Sequence, residues 1–290
     1  MKKIIEGDVE IRSLNLKKLL DLSDVEVNGD FDCRDNNLTS LEGAPHTVDN
    51  FSCSDNPLIN LENSPHIVRG RFLCQENGLT SLKGSPLTID THFTCSINRL
   101  INLEGGPQTV IGTFECSYNR LTSLNGAPNT VATGNVKDTN PDFNFYNWDS
   151  TFYSSAFICS HNFLTNLKGA PKTVGGSFDC QQNNLTSLEG APPMVGDKMG
   201  GSSIIPGGRA KLAHSVFNCS YNSLRDLKGA PNKVIGDFVC NNNPLISLEG
   251  LPKIITNNLI LPAELKNKFS EKYVHSLCDV NMIKYSNAYF

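Results

Sequence analysis

Phe31-Asp32-Cys33-Arg34-Asp35-Asn36-Asn37-Leu38-Thr39-Ser40-Leu41-Glu42-Gly43-Ala44-Pro45-His46-Thr47-Val48 is one unit of this chain, and Phe51 starts the same phrase again. The pattern is Phe-x-Cys-x-x-Asn-x-Leu-x-x-Leu-x-Gly-x-Pro-x-x-Val, with small variations. Phe31, Phe51, Phe72, Phe93, Phe114, Phe157, Phe178, Phe217 and Phe238 each open a unit, and a Cys follows every one of them two residues later. Most spacings are 20 or 21 residues. A short fixed period predicts a solenoid, because each coil is too small to bury its apolar edge except against its neighbours.

Each unit has a physical reading. Phe-x-Cys alternates with period two, so Phe and Cys face inward on a strand and their neighbours face outward. The chain then turns at Asn36, Asn56, Asn77, Asn98, Asn119, Asn162, Asn183, Asn222 and Asn243. A buried Asn both donates and accepts, so it can satisfy backbone groups at a turn, and stacked coils would build an asparagine ladder. Leu38 and Leu41 and their equivalents fill the interior. Gly-x-Pro bends the chain back without needing an amide donor from Pro. The Val48 positions re-enter the core.

Bulk composition narrows the function classes. The 290 residues carry a net charge of −4 and a pI of about 5.9. No long basic run exists, which argues against general nucleic-acid binding. No stretch approaches the roughly 20 apolar residues of a membrane span. The start, MKKIIEGDVEIR, lacks an apolar core, so no secretory signal is read there and a cytoplasmic location is expected. Nine of the ten cysteines share the repeat slot, as small buried hydrophobes would, and stay reduced in a cytosol. A ladder on one face offers no tetrahedral zinc set, and no metal or cofactor is expected. The Gly pairs after residue 198 do not follow a strand in a phosphate-loop frame.

The phrase Asn-x-Leu-Thr-Ser-Leu-x-x-x-Pro, at Asn36–Pro45 and Asn183–Pro192, resembles the leucine-rich repeat in its short bacterial effector-type form. The Leu-Glu-Gly-Ala-Pro version also resembles repeats of tailed phages and some bacteria. Phe and Cys in the strand slots, and Glu-Gly-Ala-Pro in place of Pro-x-Leu-Pro, depart from the effector pattern. The resemblance covers roughly 9–261. It implies a parallel β-sheet on the concave side, irregular turns on the convex side, and a concave face that usually binds protein. A solenoid over 1–261 is expected, with a degenerate N-terminal coil at 9–28 and a C-terminal helical cap and tail at 262–290, for about eleven or twelve coils. Leu259-x-Leu261 reads as a last strand. Pro262 then opens a helix with Leu265, Phe269, Tyr273 or Val274, and Leu277 on one stripe, and the tail after 279 is left as ordered or loose.

Two intervals break the period. Cys116 to Cys159 is 43 residues and holds an aromatic insertion at 135–156 with Tyr146 and Trp148, read as a degenerate coil with an extruded loop whose rings either repack the core or serve as interface anchors. Cys180 to Cys219 is 39 residues and holds a Gly- and Ser-rich, locally basic insertion at 197–215, read as a mobile loop. The positions after each Cys are expected to point out of the sheet as a polar, protein-binding face, the alternative being a solvated face with incidental tyrosines. They are acidic in the early coils and neutral later, where Tyr118, His161, Gln182 and Tyr221 share one slot. Tyr118, His161, Tyr221, Tyr146, Trp148 and Gln182 are the candidate partner-binding residues.

Three functions are weighed. The first is a non-enzymatic protein-binding scaffold, which the phage-type resemblance makes a virus-encoded factor acting on a host protein in the host cytosol. The second is a virion-associated adhesin binding a receptor or glycan. The third is an enzyme, raised by Cys278, the one out-of-frame cysteine, because effector-type repeat proteins can carry a Cys-dependent ligase domain. Only twelve residues follow Cys278, and no catalytic residue is assigned. Dimerisation is left open.

Overall fold

The computed structural model describes residues 3–131, 155–196 and 215–286, together with the backbone of 202–204 and 210–212. Every regular coil contributes two short parallel strands that meet at a bend, such as Thr47–Val48 and Phe51–Ser52. Both stack in strict register. Val48 lies over Val68, and Phe51 lies between Phe31 and Phe72. The register begins at Val9 under Phe31 and ends at Leu259 under Ile283, which makes twelve rungs.

The alternation of the sequence explains the core. All nine Phe and their Cys partners are buried, with the two leucines and the valine of each coil beside them. Successive Phe rings sit 5.2–5.9 Å apart, mostly parallel. Burying each ring is worth about 1.5–3 kcal/mol. The repeat asparagines form the expected ladder. Asn56 Nδ2 donates to Cys53 O (3.2 Å) and Ser54 O (3.0 Å) of its own coil and to Cys33 O (3.1 Å) of the coil before, while its Oδ1 accepts from Leu38 N (3.0 Å). The Gly of each Gly-x-Pro turn is needed for its conformation. Gly84 has φ +97°, and a Cβ there would meet Leu61 O at 2.3 Å. In the coil led by Phe51 the same slot holds Asn63, at φ 66°.

Neither long interval contains a further rung. Phe114 pairs directly with Phe157, and Val131 with Val174. Phe178 likewise pairs directly with Phe217, and Val195 with Val234. The expectation of a degenerate coil between Cys116 and Cys159 is therefore corrected. One ordinary coil carries an insertion between Val131 and Ser155, at the bend that joins its two strands, and the second insertion leaves the next coil but one at the same corner. Residues 202–204 and 210–212 pair as an antiparallel hairpin, where a loop was expected.

The ends supply the remaining rungs. Lys3–Glu6 pairs with Val25–Asn28, so the first rung reaches back before Val9. The segment after Pro262 is a 3₁₀ turn, Ala263–Asn267, followed by a short helix, Glu271–Leu277. It breaks there because Ser270 caps the helix, its hydroxyl accepting from Tyr273 N at 3.2 Å. Leu265 and Val274 are buried, whereas Tyr273 and Leu277 are exposed, so the predicted stripe is half realised. Asp279–Tyr285 is a strand that forms the twelfth rung, not a loose tail.

Candidate functional site

The residue before each repeat Asn takes a left-handed conformation. Asp35, Asp55, Glu76, Ile97, Tyr118, His161, Gln182, Tyr221 and Asn242 all have φ between 51° and 55°. That conformation costs a non-glycine residue roughly 1–2 kcal/mol. It persists because each amide donates to the carbonyl of the next coil, as Asp35 N does to Ser54 O (3.1 Å) and Tyr118 N to Ser160 O (3.2 Å). The Asn beside it fixes the same turn. A ridge of nine side chains results, one per rung, spaced by the roughly 4.8 Å between strands.

Because no rung lies inside either long interval, Tyr118, His161, Gln182 and Tyr221 occupy four consecutive rungs. Tyr118 is 43% exposed and Tyr221 37%. Gln182 is exposed and His161 half-buried. Tyr118 and His161 stack face to face, 4.1 Å between centroids, with the Tyr118 hydroxyl 3.1 Å from His161 Nε2. Burial lowers the His161 pKa, which favours the neutral ring. Tyr146 and Trp148 lie outside the described residues.

The sheet face beside the ridge is largely closed to solvent. In the slot after Cys, Ser54, Ser117 and Ser220 are fully buried, and Asn241 nearly so. The slot between Phe and Cys holds Asp32, Ser52, Leu73, Thr94, Glu115, Ile158, Asp179, Asn218 and Val239, and most of these are buried too. Outward side chains this close together shield one another.

Three carboxyls in that slot are held by the residue two positions on. Asp32 accepts from Arg34 N and Nε (3.2 and 3.0 Å) and forms an ion pair with it at 2.9 Å. Glu115 accepts from the Ser117 hydroxyl (2.9 Å), and Asp179 accepts from Gln181 N and Nε2 (both 3.0 Å). Burial pushes Asp179 up to about 6 against its hydrogen bonds, and burial raises Glu115 as well. On the ridge, burial and the neighbouring Glu76 and Asp35 carboxylates raise Asp55 to about 6.

The cysteines are poorly set up for nucleophilic work. All ten are free and buried. Burial raises the ladder thiols, and Cys278 is pushed up to about 11. An activated thiol is shifted the other way. Among the described residues no group of three or more His, Cys, Asp or Glu side chains is placed to hold a metal ion, and no helix is long and apolar enough to cross a membrane.

No protein-family model matches the chain, and no curated protein matches it. Among solved structures it is similar to YopM from Yersinia enterocolitica WA-314, at 17% identity over 96% of this chain and 71% of that one, with a TM-score of 0.28. The chain's own geometry carries the assignment. Twelve parallel rungs in strict register, a buried asparagine ladder and a left-handed ridge before each Asn are the architecture of a leucine-rich-repeat solenoid.

Proposed function

We propose that this solenoid is a non-enzymatic scaffold that binds another protein along its sheet face and the adjoining ridge. The observation that carries this reading is the run Tyr118, His161, Gln182 and Tyr221 on four consecutive rungs, set by the same left-handed backbone turn on each, with Tyr118 stacked on His161. Exposed aromatics held rigidly bind with little loss of conformational entropy, which is what an interface anchor requires. The finer reading is a phage-encoded factor that acts on a host protein in the host cytosol. It rests on the Leu-Glu-Gly-Ala-Pro form of the repeat alone. Tyr146 and Trp148 are proposed as further anchors.

The test is affinity capture by the tagged chain from host lysate, followed by titration of the recovered protein against wild type and the Tyr118→Ala/Tyr221→Ala pair. Loss of two anchors should weaken binding by at least about 1–2 kcal/mol, or roughly 5- to 30-fold. Unchanged affinity in a folded double variant would remove the ridge from the interface. Recovery of the chain in purified virions, with no soluble partner, would favour the adhesin.

A further inference from the structure

The slot between Phe and Cys and the ridge slot run side by side along the nine Phe-led rungs. Together they hold six carboxylates, Asp32, Glu115, Asp179, Asp35, Asp55 and Glu76, and neither a lysine nor an arginine. The slot after Cys adds one cation, Arg34, already engaged by Asp32 at 2.9 Å. The chain as a whole is only −4, so the negative charge is gathered on this face. Here we infer that the face takes a cationic polypeptide segment, one bearing several Lys or Arg side chains. This rests on the protein-binding reading above and names the chemistry of its partner.

Two further features support it. Asp179 is buried in its slot between Ile158 and Asn218 and accepts from Gln181, and among the described residues no Lys or Arg pairs with it or with Glu115. An incoming ammonium or guanidinium would supply that charge where desolvation makes it most effective. Finally, the acidic rungs of the ridge pass through Ile97 into Tyr118 and His161, so a Lys or Arg stem can lie along apolar surface while its head reaches a carboxylate.

The experiment is fluorescence anisotropy at pH 7.5 with a labelled twelve-residue Gly/Ser peptide carrying four Arg and Lys, and with the same peptide carrying Glu instead. Three proteins are titrated: wild type, Glu115→Gln/Asp179→Asn, and Glu42→Gln/Glu104→Gln. The last makes the same change in net charge on the exposed turn side. The face variant keeps hydrogen-bond acceptors and sheds two desolvated carboxyls, so it should fold, which its melting curve checks. Binding of the cationic peptide alone, weakened at least about tenfold by the face variant and less than about twofold by the turn-side variant, is the expected result. Equal losses in both variants would mean unspecific attraction to an acidic protein and would overturn the inference. So would absence of binding to wild type. If the captured partner still depends on Tyr118 and Tyr221 while the cationic peptide fails, the scaffold reading stands and only the partner chemistry falls.

Discussion

Replacing Asn98 by Ala isolates what the asparagine ladder does. Asn98 Nδ2 donates to Cys74 O (3.0 Å) of the previous coil and to Cys95 O and Ser96 O (both 3.1 Å) of its own, while Oδ1 accepts from Leu79 N (3.0 Å). The truncation leaves the buried Leu79 amide without its acceptor, at a cost of about 1–3 kcal/mol, and each lost carbonyl contact adds about 0.5–1.5 kcal/mol where water cannot replace it. The loss is therefore expected at about 3–4 kcal/mol. Asn102 is the internal control. Its Oδ1 accepts only from Glu104 N (3.1 Å) at an exposed turn, so Asn102→Ala should cost under about 1 kcal/mol. Urea unfolding followed by circular dichroism measures both, and hydrogen exchange at Leu79 and Cys95 reads the local opening directly. Because stability in a solenoid is a sum of neighbour terms, the loosening should centre on the coils led by Phe72 and Phe93. Equal costs for the two asparagines would refute the ladder as a source of stability.

The ladder thiols should resist an aqueous thiol reagent in the folded protein and react only at the rate of unfolding, since burial raises their pKa and hides their sulfurs; fast labelling of Cys278 alone would mark it as an accessible end of the core. Gly84→Ala should lower the melting temperature, because Ala must adopt φ +97° with its Cβ 2.3 Å from Leu61 O, whereas Asn63→Gly in the equivalent slot should change little. Asp179 gives the stability a pH dependence of predictable sign. Its folded pKa is about 6, above the ordinary value of 3.8, so the folded state holds the extra proton between those values. Its contribution is complete below about pH 4 and is lost as pH rises through 6, and Asp179→Asn should flatten that slope and raise the melting temperature at pH 7. A melting temperature that rises with pH over this window, through this residue, would contradict the account.

Much of this architecture is local chemistry repeated. Phe-x-Cys has to bury two side chains on one strand face, and a period of 20 or 21 residues lets the next coil do so in register. The Asn slot, the two leucines and the Gly-x-Pro turn are legible for the same reason: each answers a need within its own coil or the neighbouring one. Leu265 and Val274 were readable as core residues, but the break at Ser270 was not, because a cap competing with a continuous helix is a local contest that the stripe pattern does not reveal.

The first long interval was misjudged for a physical reason. A length near two periods counts residues, and only the pairing of Phe114 with Phe157 shows that no rung stands between them. That same pairing sets Tyr118 against His161, 43 positions apart in the chain, close enough to stack at 4.1 Å. The candidate residues were thus named by the sequence slot, while their adjacency came from the register. Glu115 and Asp179 sat in a slot whose alternation marked it as outward and polar. Their desolvation depends on the bulk of neighbouring rungs, so only packing could turn two ordinary carboxyls into the centre of a negative face. The repeat alone determined the coil, its ladder and its core, because those are satisfied one neighbour at a time. Which coils touch, and what the assembled face can hold, was decided by the stacking of the whole chain.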